Sequence, residues 1–104
     1  MQTQQTYTSD IQAPLVSFIV TTYNLPVEYI KECLDSILQL TLSDKEREII
    51  LVDDGSDICP LNDLPEYLIH IIYLRQANQG VSVARNYGMI IAKGRYIQFV
   101  DGDD

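Results

Sequence analysis

The chain has 104 residues, enough for one small domain with a single core. Apolar residues make up 46% of it and charged residues 21%, so we expect it to fold. Fifteen acidic residues against seven Lys and Arg give a net charge of -8, and no basic run is long enough to follow a phosphate backbone, so nucleic acid is not an expected partner. No stretch approaches the ~18 consecutive apolar residues of a membrane span.

Residues 1–14 are predicted to form a polar arm and residues 15–104 the folded domain. The arm has neither the basic start nor the apolar run of a secretory signal. Cys33 and Cys59 form no CxxC pair, which favours two reduced thiols. We therefore expect a cytoplasmic protein, which in a full-length form could also lie at the inner face of a membrane.

The first half of the chain is typical of a strand, a helix and a second strand. Residues 15–20 form a largely apolar run rich in β-branched side chains, which predicts a strand buried on both faces. After Pro26, apolar residues recur at three- and four-residue steps, which predicts an amphipathic helix ending near Leu40. A second apolar run over 48–52 predicts a strand that ends at the polar turn 53–57.

Four elements are predicted in the second half: a short helix within 61–68, a strand over 69–74, a helix over 80–93 and a strand over 96–100. Gly94 directly follows the long helix and is expected to end it in a left-handed conformation. Gly88 costs that helix about 1 kcal/mol relative to Ala, a loss that a close approach to the sheet would offset. His70 is alone in an apolar strand and is predicted to be packed, not to bind a ligand.

Strands that alternate with helices predict βαβ units. Right-handed crossovers then give an α/β fold with a Rossmann-like open parallel sheet, about four strands and helices on both faces. Three polar clusters, 21–24, 53–57 and 101–104, each follow the carboxyl end of a predicted strand. Open α/β sheets bind ligands at that edge, so we expect the three clusters to meet in one crevice.

The crevice is expected to be strongly acidic. Six aspartates would converge on it: Asp53, Asp54, Asp57, Asp101, Asp103 and Asp104. Such a concentration of charge raises pKa values and weakens the fold unless a cation binds. Carboxylates without His or Cys suit Mg²⁺ or Mn²⁺ and not zinc. The alternative is that residues 101–104 form only a surface turn.

Residues 78–80 open the second long helix, whose free N–H groups suit an anionic phosphate. Arg85 lies about one turn further along, where it is either a diphosphate contact or the ion-pair partner of a crevice aspartate. Asn78 belongs to this phosphate site or only caps the helix. Tyr23, at the end of the first strand, either stacks on a base or is half-buried core.

Four segments of the chain resemble family-2 glycosyltransferases of the GT-A fold. They are residues 16–24 (VSFIVTTYN), 50–56 (ILVDDGS), 78–88 (NQGVSVARNYG) and 94–104 (GRYIQFVDGDD). Each segment alone is a weak signal, but four in order at family-like spacing are highly specific. The resemblance runs from about Val16 to the last residue.

This resemblance implies a site for a nucleotide-diphosphate-sugar donor, most commonly a UDP-sugar. Thr21 and Tyr23 would lie near the base, and Asp54 would hydrogen-bond the base or the ribose. Gly80, at the start of the helix, and Arg85 would lie near the diphosphate.

Residues 101–103 match the family's DXD motif. The resemblance implies that Asp101 and Asp103, with Asp104 beside them, contact the donor and hold Mn²⁺ or Mg²⁺. The family inverts the anomeric carbon, because an acceptor hydroxyl, on a glycan or another acceptor, attacks with the help of a carboxylate base beyond this motif. This chain ends at the motif, so we expect it to bind donor or metal without transferring the sugar.

Other functions are weighed against this one. The first strand leads into TTYN and not into a G-x-G-x-x-G turn, which disfavours a dinucleotide-binding dehydrogenase domain. A non-catalytic nucleotide-sugar-binding or assembly module stays an alternative. The fourth strand is expected at a sheet edge, where unpaired backbone groups would recruit a second copy of the chain.

Overall fold

A computed structural model of the chain describes residues 13–102. These residues form four strands, β1 (Val16–Thr22), β2 (Arg47–Asp53), β3 (Ile71–Arg75) and β4 (Tyr96–Asp101). The connecting helices are α1 (Val27–Leu38), two short 3-10 helices (Pro60–Asp63 and Pro65–His70) and α2 (Val81–Ile91). Most of the predicted polar arm and the last two aspartates lie outside the described residues, so the predicted domain boundary stays a prediction.

The four strands form one parallel sheet in the order β3-β2-β1-β4. β1 is central: it pairs with β2 from Val16–Arg47 to Thr22–Asp53, and with β4 from Val16–Tyr96 to Thr21–Asp101. Both pairings bring the carboxyl ends of the strands to the same level. The predicted fold class, an open parallel Rossmann-like sheet with flanking helices, is confirmed.

The core lies on both faces of β1 and β2 because their apolar side chains alternate between the faces. On one face Phe18, Val20, Ile49 and Leu51 pack against the buried stripe of α1. On the other face the packing is against α2. There the buried residues are Ile19, Ile50, Val52 and Ala84. Each large aliphatic side chain fully buried in this way stabilises the fold by about 1.5–3 kcal/mol.

Two glycines allow α2 and its exit to approach the sheet closely. A Cβ at Gly88 would lie 2.6 Å from the Cγ2 of Ile19, so the predicted reason for this glycine is confirmed. Gly94 has a different role from the predicted one. It does not have a positive φ, and α2 ends at Ile91 because the next residue, Ala92, is extended. A Cβ at Gly94 would instead lie 2.6 Å from the backbone N of Ser17, so lack of space excludes a side chain there.

The third strand begins two residues later than predicted. Ile69 and His70 belong to the second 3-10 helix, because Pro65 starts a turn that continues to His70. His70 is therefore not in the strand. Its Nδ1 lies 3.6 Å from the Oδ1 of Asp44.

No helix among the described residues is long and apolar enough to cross a membrane.

β4 lies at one edge of the sheet, as the sequence predicted. Apolar side chains on both of its faces are exposed, with Tyr96 at 66%, Ile97 at 37% and Phe99 at 38%. An edge strand with exposed apolar side chains is a template for pairing with another chain.

We expect the 104-residue chain to self-associate through β4, and we expect Ile97→Lys to reduce that association because a charged side chain blocks edge pairing. Light scattering across a concentration series measures it. Ile69→Lys is the matched control, because Ile69 is 87% exposed but lies before β3, at the opposite edge. A wild-type chain that is monomeric at every concentration would contradict the prediction.

Candidate functional site

A pocket of about 470 Å³ opens at the carboxyl end of β1. At β1 the chain connections change face: α1 packs on one side of the sheet and α2 on the other. Open α/β sheets bind ligands in the crevice at such a point. The lining residues are Thr21, Thr22, Tyr23, Leu25, Asp54, Asn78, Gly80, Val81, Arg85, Asp101 and Gly102.

The pocket brings together the predicted site residues that the structure describes. Thr21, Tyr23, Asp54, Gly80, Arg85 and Asp101 all line it. The expected meeting of three polar clusters is therefore observed up to residue 102, whereas Asp103 and Asp104 lie outside the described residues. Asp57 lies apart, on a second pocket of about 350 Å³ that also includes Asn24 and Ile58.

The carboxylate of Asp54 organises the loop between β3 and α2. Its Oδ1 accepts hydrogen bonds from Gln76 Nε2 and from the backbone N of Gln79, both at 2.8 Å. Its Oδ2 accepts from Asn78 Nδ2 at 3.1 Å and from the backbone N of Gly80 at 3.0 Å. Burial alone would raise the pKa of Asp54, but the bonds from Gln76, Gln79 and Gly80 outweigh it and lower that pKa below its ordinary value.

These contacts exclude one of the two roles considered for Asn78, that of a helix cap. Its side-chain amide donates to Asp54, at both the carboxylate and the backbone oxygen. The N-cap residue of α2 is Gly80, and no side chain caps the helix. Asn78 is therefore not a helix cap, because its side-chain amide donates to Asp54 at the end of β2.

Asp53 has a structural role that differs from that of its neighbour. It is fully buried, and its Oδ1 accepts from the Oγ of Ser56 at 2.6 Å and from the backbone N of Ser56 at 3.0 Å. Its Oδ2 accepts from the hydroxyl of Tyr73 at 2.7 Å and from Arg75 Nη1 at 2.6 Å. Burial and the bond to Asp53 raise the pKa of Tyr73, so this phenol stays a donor.

Asp101 lies at the rim of the pocket, where Arg85 meets it. Arg85 Nη2 is 3.1 Å from the Oδ1 of Asp101, and the Oγ1 of Thr21 donates to the same oxygen at 3.3 Å. The guanidinium of Arg85 also lies over the ring of Phe99, 5.5 Å from its centroid. Of the two contacts considered for Arg85, the ion pair with a crevice aspartate is thus observed.

Only part of the predicted metal site falls within the described residues. Among residues 13–102, no group of three or more His, Cys, Asp or Glu side chains is arranged to hold a metal ion. Asp101 offers one half-exposed carboxylate at the pocket rim, a ligand type that suits Mg²⁺ or Mn²⁺. The donor chemistry therefore fits such an ion, and the remaining candidate ligands, Asp103 and Asp104, are not described.

The other predicted residues differ in exposure. Tyr23 is 49% exposed on the pocket, so it is not core. Gly80 has a φ of 100°, and a Cβ there would meet nothing within 4 Å, so its backbone is open towards the pocket. Sequence reasoning missed Gln76, whose side-chain amide donates to Asp54. The polar run QANQ between a strand and a helix was the available signal.

The family model described as Glycosyl transferase family 2 matches residues 17–104. The chain belongs to this family. The uncharacterized glycosyltransferase EpsJ of Bacillus subtilis (strain 168) is 49% identical over 94 residues, which cover 88% of this chain and 26% of EpsJ.

Solved structures with the same fold agree with this family assignment. S. aureus TarS 1-349, solved in complex with UDP-GlcNAc, has a TM-score of 0.77 at 31% identity, covering 86% of this chain and 26% of TarS 1-349. The mannosyltransferase PcManGT of Pyrobaculum calidifontis, solved with GDP-Man and Mn²⁺, has a TM-score of 0.77 at 24% identity, covering 88% of this chain and 28% of PcManGT. The similarity to PcManGT shows a shared fold alone. The chain thus spans about a quarter of the length of these relatives.

The hydrogen bonds to Asp54 predict how the stability of this family-2 domain depends on pH. Because the folded pKa lies below the ordinary value, ionised Asp54 stabilises the fold above pH about 4 and loses that contribution as the pH falls through the folded pKa. Asp54→Asn places an NH₂ against donors, so we expect a loss of about 1–3 kcal/mol of unfolding free energy at neutral pH. Acid unfolding followed by circular dichroism should become less steep below pH about 4.

The exposed Asp63 of the first 3-10 helix provides the control for loss of one carboxylate. Asp63→Asn should leave both the stability and the acid transition close to wild type. Equal effects of the two substitutions would contradict the role given to Asp54.

Proposed function

We propose that this domain binds the nucleotide-diphosphate-sugar donor of an inverting family-2 glycosyltransferase. One observation carries the proposal: in a chain of this family, Thr21, Tyr23, Asp54, Arg85 and Asp101 line one pocket at the point where the sheet connections change face. The likeness to TarS, solved with UDP-GlcNAc, supports a UDP-sugar as the donor.

The base and ribose are proposed to bind on the β1 side of the pocket. The exposed ring of Tyr23 offers a face for stacking, which is worth about 1–3 kcal/mol for a base on an aromatic ring. Asp54 is proposed to contribute by contacting the base or ribose and by holding the loop 76–80 against the pocket. Thr21 orients Asp101 from the neighbouring strand.

The diphosphate is proposed to bind at the start of α2. No side chain caps this helix, and Val81, its first residue, lines the pocket, so the positive end of the helix dipole faces the ligand. Gly80 lets a phosphate approach the backbone. Arg85 adds a cation within reach of Asp101, and its guanidinium would pair with phosphate oxygens.

Asp101, Asp103 and Asp104 are the proposed ligands of Mn²⁺ or Mg²⁺. Such an ion, when bound, neutralises charge on the departing nucleoside diphosphate. The carboxylate of Asp101 keeps its orientation through Thr21 and Arg85, so one ligand is prepared before the donor arrives.

Sugar transfer itself is proposed for a protein of the length of the relatives, of which this chain spans about a quarter. An acceptor hydroxyl, on a glycan or another acceptor, would attack the anomeric carbon opposite the leaving group while a carboxylate base takes its proton. We expect that base, and the acceptor site, outside this chain. The 104-residue chain should therefore bind donor without transferring sugar.

Calorimetric titration with UDP and GDP, each with and without Mn²⁺, tests the proposal. We expect UDP to bind more tightly than GDP. We also expect Mn²⁺ to strengthen binding, because carboxylates such as that of Asp101 would hold the ion and its charge would offset that of the diphosphate. A chain that binds neither nucleotide in the presence of Mn²⁺ would refute the donor site. Binding that persists in a longer form without any transfer would favour the non-catalytic module.

Arg85→Gln should weaken UDP binding tenfold or more, because a charge-assisted hydrogen bond contributes about 1.5–3 kcal/mol. Binding of uridine, which has no diphosphate, should stay unchanged. The matched control is Arg95→Gln, since Arg95 is exposed just before β4, at the amino end of the sheet. Similar losses for UDP in both variants would argue against a specific diphosphate contact.

A further inference from the structure

Asn24 has an unusual backbone in the loop between β1 and α1. Among residues 13–102 it is the one residue other than glycine with a positive φ, at 50°. Asn tolerates this left-handed region better than most residues, but the conformation persists only where surrounding contacts impose it.

Three hydrogen bonds impose it here. The backbone N of Asn24 donates to the Oγ of Ser56 at 2.8 Å. Its Oδ1 accepts from the backbone N of Asp57 at 2.8 Å, and its Nδ2 donates to the Oδ2 of Asp57 at 3.5 Å. The loop after β1 is therefore fixed to the loop after β2.

The attachment point is itself rigid. Ser56 is buried, and its Oγ donates to Asp53 while accepting from Asn24. Asp53 is fully buried and is held in turn by Tyr73 and Arg75 of β3. One continuous chain of hydrogen bonds thus runs from β3 through β2 to Asn24.

The residue that this arrangement places is Tyr23. It lies between Thr22, the buried last residue of β1, and the fixed Asn24. Its own side chain is half exposed on the pocket, so little packing holds it. The backbone at Asn24 therefore fixes the direction in which the side chain of Tyr23 leaves the chain.

We propose that Asn24 is a positioning residue that holds Tyr23 in place to stack on the nucleobase, an inference that rests on the donor site proposed above. A ring held before binding loses less freedom when the base arrives. Asn24 thus acts on the affinity for the base through Tyr23, without touching the ligand.

A double-mutant cycle tests this. With Mn²⁺ present, Tyr23→Ala is expected to weaken UDP binding about tenfold and Asn24→Ala about fivefold, because both lose base stacking. Neither should change the affinity for pyrophosphate, which has no base. The double variant should bind UDP within about twofold of Tyr23→Ala, because Asn24 has no effect once the ring is absent. Additive losses, or a matching loss for pyrophosphate, would overturn the inference.

Two further variants separate positioning from folding. Asn24→Gly adopts a positive φ without strain but lacks both side-chain bonds to Asp57, so it should fold and weaken UDP binding about threefold. Asn62→Ala, at an exposed asparagine of the first 3-10 helix, should leave UDP affinity unchanged.

A measurement without ligand makes the two proposals distinguishable. In protein labelled with fluorotyrosine, the ¹⁹F resonance of Tyr23, assigned with Tyr23→Phe, should shift or broaden in Asn24→Ala and stay unchanged in Asn62→Ala. An unchanged Tyr23 resonance in Asn24→Ala overturns the positioning role, whatever the measured affinity for UDP. Failure of wild-type protein to bind UDP, with the resonance shifted, overturns the donor site instead.

Discussion

Two adjacent carboxylates must be buried at the end of β2, and satisfying both of them organises the rest of the site. A buried carboxylate needs hydrogen-bond donors for most of its lone pairs, otherwise its desolvation opposes folding. Asp53 takes its donors from Ser56, Tyr73 and Arg75, whereas Asp54 takes them from residues 76–80. Each aspartate therefore fixes a different rim of the same pocket.

The division between the two aspartates explains how an open sheet edge becomes a defined crevice. Through Ser56, Asp53 reaches the loop that carries Tyr23. Through the loop before α2, Asp54 fixes where that helix begins, and hence where Arg85 lies relative to Asp101. Both rims are built from hydrogen bonds between loops, while the strands beneath them are held by apolar packing.

The framework could be read from the sequence because its signals are local. The apolar runs of β1 and β2 and the spacing of α2 each follow from burial of one segment, and parallel order then places the polar clusters together. Contacts between distant residues could not be read in this way. Gly94 has no room for a side chain because Ser17, far away along the chain, packs against it. In the same way, the amide of Asn78 donates to Asp54 only because the fold brings the two residues together.

The same limit changes the argument for a cation. Counting six aspartates at one edge treats their charges as alike and unpaired, but a sequence does not say which carboxylates already have donors. Asp53 and Asp54 are satisfied within the protein. The carboxylate of Asp57 accepts from Asn24 Nδ2 at 3.5 Å and lies on the second pocket. Asp101 is the described carboxylate that stands half exposed at the rim, with Arg85 as its counter-charge. The case for a bound dication therefore rests on the DXD motif that begins at Asp101, and not on the total acidity of the crevice.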